Sequence, residues 1–151
     1  MLILAGCGGS GAPEARLQTL QGPGFTFQAP GSWTRSHTRR AVSATHDSEL
    51  VQVATFPLVK PYTDALFDRV AKELAVRMKG VALQSHGTVT ATRTVEVDGI
   101  RSHAYDVTVA DHVDEYTFVL NGMHEHQLLC RRRSSDHRRF CATLVTSFAR
   151  A

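Results

Sequence analysis

Apolar and polar residues alternate at period two through Phe25-Thr26-Phe27 and stop at Pro30-Gly31, which predicts a short strand and a turn. Trp33, the single tryptophan, follows and is expected as a core plug. Residues 41–45 and 50–56 read as paired strands joined by the polar turn His46-Asp47-Ser48-Glu49, with Pro57 and Pro61 bracketing a loop. The period then changes. Leu66, Phe67, Val70, Leu74 and Met78 recur at three- and four-residue spacing and predict a helix over 62–79, with Thr63 to cap its start and Gly80 to end it. Two further strand pairs follow: 87–97 with 100–109 across Asp98-Gly99, and 113–120 with 123–131 across Asn121-Gly122. Phe140, Cys141, Leu144, Val145 and Phe148 mark an amphipathic helix with Asp136 as its cap. Strands outnumber helices and neighbours are joined by hairpins. The expected architecture is an α+β domain, an antiparallel sheet of about six or seven strands with helices packed on it.

A chain of 151 residues with 42% hydrophobic content suits one domain with a substantial core. No apolar run reaches the roughly 20 residues needed to span a bilayer as a helix. The formal charge is only +3, too mild for a nucleic-acid-binding face. Arginine outnumbers lysine 14 to 3, a bias that weakens any reading built on arginine count alone.

Three cysteines leave one to explain separately. Leu4-Ala5-Gly6-Cys7, followed by Gly8-Gly9-Ser10-Gly11, resembles a bacterial lipobox. That resemblance implies cleavage before Cys7 and diacylation of its thiol. Upstream, only Met1-Leu2-Ile3-Leu4 stand for the apolar part of a signal peptide, which normally runs 7–15 residues. Residues 1–23 are therefore expected as a truncated lipoprotein signal and flexible tether, and 24–151 as the domain. With Cys7 lipidated, Cys130 and Cys141 remain as a pair in an oxidising, extracytoplasmic setting and are expected to form a disulfide.

Phe25-x-Phe27-x-x-Pro30-x-x-Trp33, Val97-Asp98-Gly99-Ile100 and Cys130…Cys141…Ser147-Phe148 resemble the Mog1/PsbP-like fold, in particular actinobacterial lipoproteins of the LpqN type. The resemblance covers roughly residues 24–149. It implies an α-β-α sandwich with roles in binding or assembly and without a shared catalytic site, and it carries over no ligand residue.

The stretch from Leu128 to Cys141 invites other readings. His126, Cys130, His137 and Cys141 could hold zinc tetrahedrally in place of a disulfide, although no short C-x2-C knuckle is present. Arg131, Arg132, Arg133, Arg138 and Arg139 are expected on an exposed loop, either merely solvated or in contact with anionic lipid headgroups or an acidic partner. Nucleic acid is not expected, since no stacking aromatics alternate with these arginines. His124 and His126 share one face of a strand, and a copper or zinc site there would need His103 or His112 to approach. The segment is no H-E-x-x-H motif, because residue 127 is Gln. Nucleophile-elbow, phosphate-loop and dinucleotide motifs are absent from the sequence.

No catalytic residue and no cofactor are assigned on this basis. The expected function is a lipid-anchored, extracytoplasmic binding or assembly module for a protein or envelope component. The alternatives are a metal-dependent enzyme using the His124/His126 region and a structural subunit of an envelope complex.

Overall fold

The structure is a computed structural model and describes residues 16–134 and 139–151. Among these residues the strands are β1 (Leu17–Gly22), β2 (Phe25–Pro30), β3 (Thr34–His37), β4 (Ala41–His46), β5 (Glu49–Tyr62), β6 (Thr88–Val97), β7 (Ile100–Val109), β8 (His112–Arg133) and β9 (Ala149–Arg150). A 3-10 turn at Asp64–Leu66 leads into helix α1 (Phe67–Gln84), and helix α2 (Arg139–Ser147) precedes β9. Six strands form the main antiparallel sheet in the order β3-β4-β5-β8-β7-β6, and β1-β2-β9 form a small second sheet. The expected α+β architecture is present.

The two faces of the main sheet are told apart by alternation along β8. Phe118 and Leu120 join Tyr105 and Val107 of β7 under Leu74, Met78 and Ala82 of α1. Val119, one residue out of phase, belongs to the other core with Val51, Val53, Leu128 and Cys130. That second core is closed by Leu144 of α2 and by Phe25, Phe27 and Phe148. The sheet is thus covered by α1 on one side, and by α2 with the small sheet on the other.

Several local expectations are corrected. Residues 17–22, expected in the tether, form β1 and pair with β2 from Leu17↔Pro30 to Gly22↔Phe25, so the folded region starts before Gly24. The Pro57–Pro61 stretch is strand rather than loop. β4 pairs with β5 as far as Ala54, Thr55 N adds a bond to the Arg40 carbonyl at 3.0 Å, and from Pro57 on that side of β5 is an edge, where a missing N–H does no harm. Asn121-Gly122 is not a hairpin turn. The first half of β8 pairs with β7 and the second with β5, so the chain runs on through a bend at Gly122, whose φ is +56°. α1 passes through Gly80 to Gln84 and ends with His86 at φ +56° and hydrogen bonds from His86 N to Leu83 O (3.3 Å) and Gly87 N to Ala82 O (2.8 Å). Thr63 starts the 3-10 turn by its carbonyl, bonded by Leu66 N, and not by its hydroxyl. Trp33 is half-buried against Phe140 at 4.9 Å, a flap at the core's rim and not a plug within it. The Asp136 cap lies outside the described residues.

Cys130 and Cys141 are bonded, with an S–S distance of 1.99 Å and Cα atoms 5.5 Å apart. The bridge ties β8 to α2, as expected from the sequence.

Candidate functional site

The bend in β8 brings four chain segments around one polar cavity of about 470 Å³. Pro23 and Gly24 come from the β1–β2 turn, Asp98 from the β6–β7 turn, His124 and His126 from β8, and Arg150 from β9. The Asp98-Gly99 turn places both residues at positive φ, +50° and +75°. Those values suit a two-residue hairpin and set the Asp98 carboxylate facing β9.

Asp98 and Arg150 lock together. Arg150 donates from Nε to Asp98 Oδ2 at 2.8 Å, from its backbone N to the same oxygen at 3.0 Å, and from Nη2 to the Asp98 carbonyl at 3.3 Å. The side-chain bond from Arg150, seconded by its backbone N–H, holds the Asp98 carboxyl below its ordinary range. His126 sits deeper, 4% exposed, with its ring edge-on to Phe25 at 6.0 Å and tilted against Phe148 at 5.3 Å. Its Nδ1 lies 2.9 Å from Thr55 Oγ1. Burial, seconded by the neighbouring His124 and Arg150, pushes the imidazole down to about 4. His124 is exposed and stacks over His126 with ring centroids 6.3 Å apart. At neutral pH the cavity therefore offers a neutral imidazole and a fixed ion pair, a surface for hydrogen bonding.

The structure brings His124 and His126 onto one face as expected, with His124 exposed and His126 buried. Neither proposed helper arrives. His103 stacks on Phe67 at 3.8 Å and shares a hydrogen bond with the Phe67 carbonyl at 2.9 Å. His112 lies beside Asp111 and Asp114, both at 3.7 Å. Among the described residues the one group of three close metal donors is elsewhere, at Glu115, Cys130 and Cys141. The four-ligand zinc reading gives way to the disulfide, and His137 lies outside the described residues. Asp98 and Arg150 were missed in the sequence because they stand 52 positions apart and nothing local to either points to the other.

Arg131 and Arg132 do not lie on a solvated loop. They belong to β8. Arg131 makes a two-pronged contact with Asp114, Nε to Oδ1 at 2.8 Å and Nη2 to Oδ2 at 3.0 Å. Arg132 is 6% exposed and donates from Nε to Glu115 Oε2 at 3.2 Å. Arg133 and Arg139 are exposed, and Arg138 lies outside the described residues.

No protein-family model matches the chain, and no curated protein matches it in sequence. Among solved structures it is similar to the solution structure of the cyanobacterial PsbP (CyanoP) from Synechocystis sp. PCC 6803, with a TM-score of 0.65 and 18% identity over 98% of this chain and 99% of that one. The fold is PsbP-like. A crystal structure from Bacteroides thetaiotaomicron VPI-5482 matches at a TM-score of 0.49 and 7% identity, over 84% of this chain and 45% of that one. A PsbP-like fold at 18% identity assigns no role to any residue. Cys7, on which the lipoprotein expectation rests, lies outside the described residues.

Proposed function

We propose that the chain is an accessory binding module that works outside the cytoplasm, held to a membrane by lipid on Cys7, and that a protein or envelope partner docks at the His124/Asp98/Arg150 cavity. The observation that carries this reading is a PsbP-like sandwich closed by the Cys130–Cys141 bridge. Structural disulfides persist in oxidising compartments, which favours an extracytoplasmic setting. The cavity adds a place to bind: polar, and framed by an ion pair that needs no rearrangement to accept hydrogen bonds. Of the described arginines in the 131–139 stretch, Arg133 and Arg139 are exposed and can meet anionic headgroups or an acidic neighbour.

The test places a photo-cross-linking amino acid at the exposed position of His124 in cells expressing the full-length protein. A discrete adduct recovered from membranes, and lost when Arg150→Gln is added, supports the cavity as the docking site. A diffuse smear, or an adduct indifferent to Arg150→Gln, overturns it. Membrane fractionation of Cys7→Ala tests the anchor, which is refuted if wild type and variant partition alike.

A further inference from the structure

The cavity between the sheet and α2, about 270 Å³, is lined by Glu115, Cys130 and Cys141 together with Arg93, Leu128 and Leu144. The two sulfurs and a carboxylate oxygen of Glu115 all lie within 4.8 Å of one another, and the three residues are 2%, 4% and 8% exposed for Cys130, Cys141 and Glu115. From this geometry we infer that the reduced protein holds a thiophilic divalent cation, zinc in type, between Cys130 Sγ, Cys141 Sγ and a Glu115 carboxylate oxygen. The cavity leaves room for a fourth, water ligand.

The distances suit this. A cation about 2.3 Å from each sulfur in a tetrahedral site separates the sulfurs by about 3.8 Å, so a modest rotation of two side chains after reduction closes the site. The carboxylate is already aimed. Arg93 donates from Nη2 to Glu115 Oε1 at 3.2 Å, and Arg132 donates from Nε to Oε2 at 3.2 Å.

Charge also balances. Arg93 bonds Asp106 as well as Glu115, so the sulfurs border a set of ion pairs that has Arg93, Asp106, Glu115 and Arg132 among its members. The disulfide adds no charge to it. Reduction adds two electrons and two protons across the S–S bond and gives two neutral thiols. A divalent cation then displaces both protons, and the dithiolate–metal unit is again neutral. The buried ion pairs therefore face the same net charge with the bridge or with the metal. Two bare thiolates would not allow this, since an uncompensated charge in the interior is strongly unfavourable. A dithiol reductant supplies the electrons by becoming a disulfide. A trialkylphosphine does the same with water, becoming the phosphine oxide.

The test uses the full chain carrying Cys7→Ala, in which Cys130 and Cys141 are the remaining cysteines. After reduction with a trialkylphosphine, Cd2+ is titrated while thiolate-to-cadmium charge-transfer absorbance and the melting temperature are followed. Saturation at one Cd2+ per chain with a raised melting temperature is expected, since a ligand of the folded state stabilises it. The oxidised protein should show neither effect. Glu115→Gln should weaken binding at least about tenfold, the loss typical even of an outer-shell partner. Glu115→Asp keeps the charge facing Arg132 but withdraws the ligand by one carbon. It should fold and show a comparable loss, which keeps the test decisive if Glu115→Gln does not fold. Cd2+ that binds without raising the melting temperature has been captured by unfolded thiols, and that outcome overturns the site. Equal affinity in Glu115→Asp, or an equal signal from oxidised protein, overturns it as well.

Discussion

Acid should weaken this fold through one ring. His126 is buried, bonded by Nδ1 to Thr55 Oγ1, and has its imidazole held down to about 4 against an ordinary value of 6.5. The folded protein resists protonating it and the unfolded chain does not, so the unfolded chain takes up the extra proton first. Stability contributed by the neutral ring is whole above pH 6.5, declines as pH falls toward 4, and is gone below that. A gap of about 2.5 pH units corresponds to about 3 kcal/mol, at roughly 1.4 kcal/mol for each. That is a large share of the roughly 5–15 kcal/mol that holds a typical domain together. The comparison to make is wild type against His126→Gln, whose amide can still bond Thr55 but does not titrate. Burial also lowers His103, and the difference between the two proteins removes its contribution. Urea unfolding at intervals from pH 7.5 to 4 should show wild type losing about 3 kcal/mol more than the variant, with the steepest divergence between about pH 6 and 4.5. Parallel curves for the two proteins, or a His126 ring resonance titrating near 6.5, would refute the reasoning.

Other outcomes follow from the same structure. Opening the bridge by Cys130→Ala with Cys141→Ala releases a loop of 11-residue separation and should cost about 3 kcal/mol, read as a fall in melting temperature. Gly80→Ala, in open space within α1, should stabilise by about 0.5–1 kcal/mol. Gly87→Ala should destabilise, because a Cβ there would sit 2.7 Å from the Thr108 carbonyl oxygen and 2.6 Å from a Val109 methyl; chemical denaturation of the two variants should show opposite signs. Arg132→Gln strips one buried partner from Glu115 while Arg93 stays bonded to it, and should cost about 1.5–3 kcal/mol, whereas exposed Arg133→Gln should stay within about 0.5 kcal/mol. Equal midpoints for that last pair would show that the buried guanidinium is not needed.

Where partners are close in sequence, the pattern of residues was a sound guide. The Asp98-Gly99 hairpin, the polar turn between β4 and β5, and the apolar face of α1 all stand as read, because one local period or one turn determines each. Asn121-Gly122 misled for the opposite reason. The dipeptide favours positive φ, and Gly122 has it, but whether positive φ makes a turn or a bend depends on which strands flank it. β7 and β5, far away in the chain, take the two halves of β8 and leave the halves unpaired with each other. β1 was missed because Leu20 is its one buried side chain, too weak a signal for a period. The burial of Arg132 was equally invisible, since its partner stands 17 residues back and reads as one more surface acid. The candidate cavity was half legible: the histidines drew notice by their own spacing, the ion pair that frames them did not.

The small sheet joins distant parts of the chain, and this bears on the order in which the protein can fold. Gln28 N bonds Ser147 Oγ across 119 positions, Phe25 stacks on Phe148, and Ala151 N bonds the Gly24 carbonyl. The β1–β2 hairpin therefore has no finished surface to rest on until residues 139–151 have been made and Cys141 has met Cys130. During synthesis Phe25 and Phe27 stay uncovered until nearly the whole chain has been made, and pairing of such long range is slow. A chaperone that shields this hairpin, or an oxidant that closes the bridge late, would govern the yield of folded protein more than any single contact in the core.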